Sequence, residues 1–168
     1  MSSPDAVVDR RSAILAAALT AFLDQGYLAT SIADIRRLSG ATTGSIYHFY
    51  SGKPALAEEL LRRFVTQWSA QTPVPEGDAE AQIKASVRGL VLWGLANPRE
   101  LRLLDELRSL AFATEELAGV RELLLTGQSA AAARFAAMQA AGDVRKLPFS
   151  IAHALMLGPA YSYLRLAP

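Results

Sequence analysis

The chain contains no cysteine and only two histidines among its 168 residues. Without cysteine it can form neither a disulfide framework nor a thiolate metal site. Nucleophiles and metal ligands are scarce, since the two histidines are His48 and His153. The sequence also has no glycine-rich phosphate loop, dinucleotide-binding fingerprint or zinc-ligand spacing. We therefore expect neither an enzyme nor a protein that carries a cofactor or a metal.

Long apolar runs are also missing, although hydrophobic residues make up 51% of the chain. No stretch approaches the ~18 consecutive apolar residues of a membrane span. Residues 14–23 follow Arg10 and Arg11 as a signal-peptide core would, but Asp5 and Asp9 precede them and no small-residue cleavage site follows. We expect an amphipathic first helix, no membrane association, and a cytoplasmic location.

The chain has little net charge: 17 basic and 16 acidic residues leave a formal charge of +1. This excludes the strongly basic field of a protein that coats nucleic acid non-specifically. Contact with a polyanion would therefore depend on where a few basic side chains are placed. The high hydrophobic fraction indicates buried contacts between subunits or an apolar cavity.

What the chain does contain is an ordered set of helix signals within residues 30–56. Thr30 and Ser31 can each cap a helix N-terminus, because a side-chain oxygen accepts an unpaired backbone N–H. Ser31 and Asp34 have the spacing of a capping box. Gly40 suits the left-handed residue that ends a helix. Ile32, Ile35, Leu38 and Ser39 follow at helical spacing, so these signals predict a short helix with an apolar stripe facing inward.

A second short helix is predicted from about Thr43 to Phe49, with Thr42 as its cap. Ile46 points inward, which leaves small and polar groups for the outer face. Lys53 then begins the next helix, where its charge and the free N–H groups of the first turn suit a phosphate. The order of these signals predicts a helix-turn-helix, the module that places one helix in the DNA major groove.

The alternative interpretation is a helical hairpin whose polar residues are merely solvated. For Thr43, Ser45 or His48 taken singly, this interpretation is the better one. The turn glycine, the short second helix and the basic cap in the right order favour the helix-turn-helix. Thr and Ser can contact bases or phosphates, and Tyr47 can bond a phosphate.

Residues 11–56 resemble the DNA-binding domain of the tetracycline-repressor (TetR) family of bacterial transcription regulators. The matching segments are ILAAALTAFLDQGY, TSIADI and GSIYHFYSGKPAL. The resemblance implies an all-α homodimer with an N-terminal helix-turn-helix domain, residues 1–52, and a C-terminal helical ligand-binding and dimerisation domain, residues 53–168. It also implies repression that a small molecule relieves.

By position, the resemblance assigns DNA contacts along this segment. Backbone contacts fall on Thr30 and Ser31, and phosphate contacts on Tyr47 and Lys53. The remaining groove-facing positions are Thr42, Thr43, Gly44, Ser45 and His48. Arg36 and Arg37 could add phosphate contacts or be solvated, and we favour one of the two contacting DNA.

Four positions depart from the pattern usual in the family, which has alanine at Arg36 and Ser39, valine at Ala41 and phenylalanine at Tyr50. A polar Ser39 and a smaller Ala41 predict a more loosely packed turn, at about 1 kcal/mol each. The departures affect which operator is bound, not the expectation of DNA binding.

Beyond Lys53 the pattern is helical throughout, and no segment alternates long enough to be a strand. Proline and glycine predict a loop over Thr72–Asp78. The predicted helices run over about Lys53–Gln71, Ala79–Ala96, Pro98–Phe112, from a cap at Thr114 to Gly142, and Pro148–Leu166.

The C-terminal half suggests a subunit interface and a pocket. In the TetR family the last two helices of each subunit form the dimer interface, which implies contacts within residues 117–138 and 151–164. Large apolar groups with a few polar ones could line a site for a mainly apolar ligand, although each is individually more typical of an ordinary core. They are Phe64, Trp68, Leu90, Trp93, Phe112, Gln128, Phe135, Met138, His153 and Met156.

The sequence thus predicts a regulator that binds a palindromic operator as a homodimer and is released by a small apolar ligand. The alternative is a helical small-molecule-binding or interaction protein that does not bind DNA. Duplex affinity that falls steeply with salt distinguishes the first from the second.

Overall fold

The computed structural model describes residues 4–71 and 77–166, with side chains described from residue 9 onward. Within these ranges the chain forms α-helices and no strand, which confirms the predicted all-α class. The helices are α1 Pro4–Gln25, α2 Ile32–Ser39, α3 Thr43–Phe49, α4 Lys53–Ala70, α5 Ala79–Ala96, α6 Pro98–Ala113, α7 Ala118–Ala141 and α8 Phe149–Leu166.

The chain divides into two compact units. The N-terminal unit contains the residues up to Arg63 together with Arg99–Leu123, and the C-terminal unit contains Phe64–Pro98 and the residues from Leu124 onward. Helices α4 and α7 each contribute to both units. The functional boundary between residues 52 and 53 stays a prediction.

The N-terminal unit has a mainly aliphatic core to which α1, α2, α3, α4, α6 and the start of α7 contribute side chains. Helix α1 packs against α2, and α2 against α3. Helix α4 adds the buried Leu56, Leu60 and Leu61, and α6 adds Leu101, Leu104 and Leu107 at the predicted helical spacing. Side chains with no measurable exposure in this core are Ile14, Leu15, Ala18, Ile35, Ile46, Leu56, Ala57, Leu61, Leu107 and Ala111.

The C-terminal unit is built around the packing of α5 against α8. Small residues are buried on both helices, Ala85 and Gly89 on α5 and Ala152 and Ala160 on α8. Small side chains let two helix backbones approach closely, so close packing accounts for a buried glycine here. Helix α8 contains Pro159 in its interior, as predicted.

Helix α7 begins later than predicted, at Ala118 instead of just after a cap at Thr114. The Thr114 N–H and hydroxyl both donate to the Leu110 carbonyl, at 2.9 and 3.1 Å, and so extend the last turn of α6. Because its hydroxyl is used in this way, Thr114 does not cap α7. Of the loop predicted over Thr72–Asp78, residues 72–76 lie outside the described residues, and Asp78 caps α5.

Candidate nucleic-acid interface

Helix α2 begins with a complete capping box. Ser31 Oγ accepts the Asp34 N–H at 3.2 Å, and the Ser31 N–H donates to Asp34 Oδ2 at 3.1 Å. The Ser31 hydroxyl also donates to Oδ2, at 2.6 Å. These hydrogen bonds, with a smaller contribution from Arg37, hold the pKa of the Asp34 carboxyl below its usual range. The carboxylate is therefore ionised near neutral pH and satisfies donors that α2 would otherwise leave unpaired.

The turn between α2 and α3 depends on Gly40, which has φ +66° and donates its N–H to the Arg36 carbonyl at 3.0 Å. A Cβ at this position would meet nothing within 4 Å, so the backbone conformation, not space, requires glycine. Ser39 Oγ accepts the Ala41 N–H at 3.2 Å. The polar side chain at position 39 thus supports the turn, a contribution that sequence reasoning missed.

Helix α3 is fixed at both ends and anchored on one side. Thr42 Oγ1 accepts the Ser45 N–H at 3.1 Å, and the Tyr50 N–H donates to the Ile46 carbonyl at 2.9 Å. Ile46 has no exposed surface. One side of α2 departs from prediction: Leu38, expected to face inward with Ile35, is 44% exposed.

The opposite side of α3 is polar and open. Thr43, Gly44 and His48 are exposed, Tyr47 is 52% exposed, and Ser45 is half-buried. A Cβ added at Gly44 would meet nothing within 4 Å. The end of α2, the turn and the start of α3 line an open groove of about 840 Å³, formed by Ala33, Asp34, Arg36, Arg37, Gly40, Ala41, Thr42, Thr43 and Gly44.

The two arginines on this groove differ. Arg37 Nη2 lies 3.3 Å from Asp34 Oδ1, in an i,i+3 pair. Arg36 is exposed and pairs with no side chain in the described ranges. A guanidinium without a carboxylate partner has no ion pair to lose when it contacts a phosphate. Arg36 is therefore the better candidate of the two for a phosphate contact.

Tyr50, at the end of α3, is 4% exposed. Its hydroxyl lies 3.5 Å from the Arg11 carbonyl, and the Arg11 guanidinium lies 5.6 Å from the centre of its ring. The tyrosine that replaces the family's usual phenylalanine therefore contacts α1 and does not line the groove.

Thr30 does not lie on the open surface. Its side chain is 3% exposed, and its hydroxyl donates to the Gly26 carbonyl at 2.8 Å. This hydroxyl closes the turn between α1 and α2 instead of pointing outward. A contact of Thr30 with the DNA backbone stays a prediction, and the buried Thr30 hydroxyl is not among the groups that could make it. Ser31, its neighbour, is exposed.

Lys53, the first residue of α4, is half-buried against the same turn. Its Nζ donates to the Tyr27 carbonyl at 3.0 Å and lies 3.5 Å from the Leu28 carbonyl. It also sits 4.3 Å from the centre of the Tyr27 ring. Two carbonyls and an aromatic face thus fix the position of this ammonium group without neutralising its charge.

Sequence reasoning missed two glutamates that hold the turn from α6 and from the segment that follows it. Glu106 Oε1 accepts the Tyr27 N–H at 3.0 Å, and Glu116 Oε1 accepts the Tyr27 hydroxyl at 2.8 Å. Burial, with a contribution from Glu116, raises the pKa of the Tyr27 phenol far above its usual value, so the hydroxyl remains a donor. The partners are 79 and 89 positions apart, and no local pattern marks such a contact.

The residues predicted to line a ligand pocket fall into separate groups. In the C-terminal unit the Phe64 and Trp93 rings lie 5.6 Å apart, and Trp93 Nε1 is 3.4 Å from Gln67 Oε1. Leu90 and Trp93 have no exposed surface. Phe112 belongs to the N-terminal unit and is 58% exposed.

A second group surrounds Phe149, whose ring centre lies 5.9 Å from that of Phe135 and 5.6 Å from that of His153. Trp68, Met138 and Met156 are half-buried, and Gln128 is exposed. An open surface pocket of about 430 Å³ in this unit is lined by Gln139, Ala140, Lys146, Leu147 and Pro148, none of which was predicted. A pocket among the predicted residues stays a prediction.

Among the described residues, no group of three or more His, Asp or Glu side chains is placed to hold a metal ion. Across the same ranges, no helix has both the length and the apolar character that a membrane crossing requires.

The geometry of α2, the Gly40 turn and α3 defines a helix-turn-helix, with one short helix held by its neighbours and a polar side left open. Residues 14–60, which contain it, match the family described as bacterial regulatory proteins, tetR family.

Curated relatives agree with this match. The HTH-type transcriptional repressor KstR2 of Mycolicibacterium smegmatis is 38% identical over 63 residues, and that of Rhodococcus jostii is 38% identical over 56 residues. The alignments cover 38% and 33% of this chain, but only 31% and 28% of the two repressors. The matched stretch thus spans less than a third of the length of these relatives.

Solved structures extend the likeness to the whole fold. Salmonella enterica GusR has a TM-score of 0.73 and 22% identity, covering 98% of this chain and 84% of its own. The fatty acid degradation regulator FadR from Bacillus halodurans has a TM-score of 0.72 and 20% identity, with the same coverage. The family match is thus confined to residues 14–60, and the solved structures show that the fold of the chain is the one these regulators share. The matched family and the curated relatives are described as regulators.

Proposed function

We propose that the chain is a transcriptional repressor that binds a palindromic DNA operator as a homodimer. The observation that carries this proposal is the open polar side of α3, on a helix whose other side is anchored by Ile46. Hydroxyl, imidazole and phenol groups on a rigid helix suit the hydrated edges of bases and the phosphates beside them. The proposed contacts are Ser31, Arg36, Arg37, Thr42, Thr43, Gly44, Ser45, Tyr47, His48 and Lys53.

Dimerisation is proposed because a single short helix reads few bases, whereas two-fold dimers read half-sites about 34–36 Å apart. Helix α8 supports this with an outer side that is strongly apolar. Ile151 is 49% exposed, Leu155 66%, Tyr163 56% and Leu166 83%. Such an apolar face is stable in water only when another surface covers it, and a second copy of α8 is self-complementary to it.

A small, mainly apolar effector is proposed to act through the C-terminal unit. Its aromatic groups around Trp93 and Phe149 support this proposal. Release from DNA requires that the effector bind one arrangement of the dimer more tightly than the other. We place the protein in the cytoplasm, where its operator would lie.

The decisive test is selection of bound duplexes from a random pool, followed by affinity measurements over a range of salt concentrations. We expect an enriched palindrome, and an affinity that falls steeply with salt. Repeating the selection with candidate apolar ligands should identify one that abolishes enrichment. A pool that stays random, with no salt-dependent binding, contradicts DNA recognition.

Variants of α3 and α4 assign the contacts. Tyr47→Phe and Lys53→Ala should weaken binding to all duplexes alike, because they remove phosphate contacts. Thr43→Ala should instead change the preferred sequence. If both kinds of change leave affinity and preference untouched, α3 is not the recognition helix.

A further inference from the structure

Three polar contacts connect the end of α1 and the following turn to α6 and the segment after it. All three lie within the N-terminal unit. Arg99 pairs with Asp24 at 2.5 Å, Glu106 accepts the Tyr27 N–H, and Glu116 accepts the Tyr27 hydroxyl. Two of the three groups aimed at this turn are carboxylates. This is unexpected beside a surface proposed to bind a polyanion, where every negative charge weakens attraction.

The turn after α1 packs closely against these carboxylates. Gly26 has φ +84°, and a Cβ there would lie 3.3 Å from Glu106 Oε1. Tyr27 is 1% exposed while both glutamates bind it, and removal of either glutamate leaves one Tyr27 donor without its protein acceptor. We expect the turn or the ring to shift toward water or another acceptor, because an unsatisfied buried donor is costly.

Any movement of Tyr27 reaches Lys53 directly. The lysine ammonium is located by the Tyr27 carbonyl at 3.0 Å and by the Tyr27 ring at 4.3 Å. Tyr27 therefore donates two hydrogen bonds to the glutamates, and its carbonyl and ring determine the position of the Lys53 ammonium group.

We propose that Glu106 and Glu116 are positioning residues for DNA binding: through Tyr27 they hold the Lys53 ammonium where it meets a phosphate. This inference rests on the proposed DNA-binding function and adds to it two acidic residues that never touch the duplex. Charge alone would make DNA affinity rise when a carboxylate is removed. This inference predicts the opposite, that removing either carboxylate weakens binding.

The experiment compares Glu106→Ala, Glu116→Ala and Tyr27→Phe with the unmodified protein on its selected duplex, over a series of salt concentrations. We expect each to lower affinity roughly fivefold, as the loss of a buried hydrogen bond does. The slope of log affinity against log salt should become shallower by about 0.9, the value for one lost phosphate contact. Combined with Lys53→Ala, each should add little further loss, because both changes remove the same contact.

Matched controls separate positioning from charge and from folding. Glu115→Ala removes a neighbouring carboxylate that pairs with Arg121 and not with Tyr27, so it should leave affinity unchanged or slightly higher. Glu106→Gln and Glu116→Gln keep an acceptor oxygen while losing the charge, so they should restore most of the affinity. Thermal unfolding of each variant shows whether the protein is folded at the assay temperature.

Two outcomes overturn the inference while leaving DNA recognition intact. The first is a folded Glu106→Ala and Glu116→Ala pair that binds as tightly as the unmodified protein or more tightly. The second is a loss of affinity with an unchanged salt slope, which means that Lys53 has not moved. Absence of duplex binding by the unmodified protein overturns both this inference and the proposed function.

Discussion

Helices α3 and α8 each expose one side, but the exposed chemistry is opposite. Helix α3 shows hydroxyls, a phenol and an imidazole around a single buried isoleucine. Helix α8 shows leucines, an isoleucine and a tyrosine, while the residues it buries are mostly alanines. A hydrated polyanion can replace water around the first set, whereas only another apolar surface can cover the second. This difference supports the two proposed partners, DNA for α3 and a second copy of the chain for α8.

The largest effect on duplex affinity should come from placing a charge on the apolar side of α8. Leu155→Asp places a charge on a residue that is 66% exposed, so the fold of a single chain should be nearly unaffected. A dimer whose interface includes Leu155 should dissociate. Duplex affinity should then fall at least about 100-fold, because a single subunit contacts only one half-site. Light scattering and duplex titration measure the two effects.

Ser150→Asp is the matched control, because it adds the same charge to an exposed position of the same helix away from Leu155. It should remain dimeric and bind DNA normally. A Leu155→Asp protein that is still dimeric, with full affinity, removes α8 from the interface.

The next effect should come from the cap of α3. Thr42→Ala removes the acceptor of the Ser45 N–H and should cost about 1 kcal/mol of stability. Duplex affinity should fall with it, since α3 must be helical to bind. Thermal unfolding and duplex titration test both expectations. Thr43→Ala, one residue along and exposed, should leave stability within about 0.5 kcal/mol while altering sequence preference. Equal losses of stability in the two variants contradict the capping role.

A smaller effect should separate the two arginines of the groove. Arg36→Ala should weaken duplex binding roughly threefold, as expected for one exposed ionic contact. Arg37→Ala should weaken it less, because Arg37 already pairs with Asp34. Titrations at two salt concentrations check this order, and the reverse order means that the Asp34 pair breaks when DNA binds.

The smallest effect concerns pH. Asp34 has a pKa below its usual value in the folded chain, chiefly through its hydrogen bond with Ser31. Its contribution to stability is therefore complete above the unfolded pKa of about 3.9 and is lost as pH falls through the lower folded pKa. The amide proton shift of Ser31 should titrate with a midpoint below 3.9, and a midpoint above it contradicts the capping box.

Local signals predicted much of this architecture. Gly40 and Thr42 mark the turn and the cap of α3 because each acts on backbone groups within a few residues. Helix α7 started late because the Thr114 hydroxyl bonds backward to Leu110 and not forward, a choice that propensity does not decide.

Contacts between distant residues escaped prediction, because Glu106 and Glu116 reach Tyr27 only through the fold. The local bond of the Thr30 hydroxyl to the Gly26 carbonyl was also missed, because the same hydroxyl could equally have capped α2. The predicted pocket residues share only size and polarity. These properties do not show which residues lie in the same compact unit, and Phe112 and Trp93 lie in different units.

Pro159 has a consequence for how two copies of α8 can meet. Proline has no N–H, so the carbonyl of Leu155, four residues earlier, loses its donor within the helix. That acceptor belongs to the residue at the centre of the apolar side. A partner helix that covers Leu155 must bring a hydroxyl, an amide or a trapped water to the same level, because a dry, unpaired carbonyl is costly. In the proposed dimer, this requirement favours an axial register that places a donor of the second copy beside the Leu155 carbonyl.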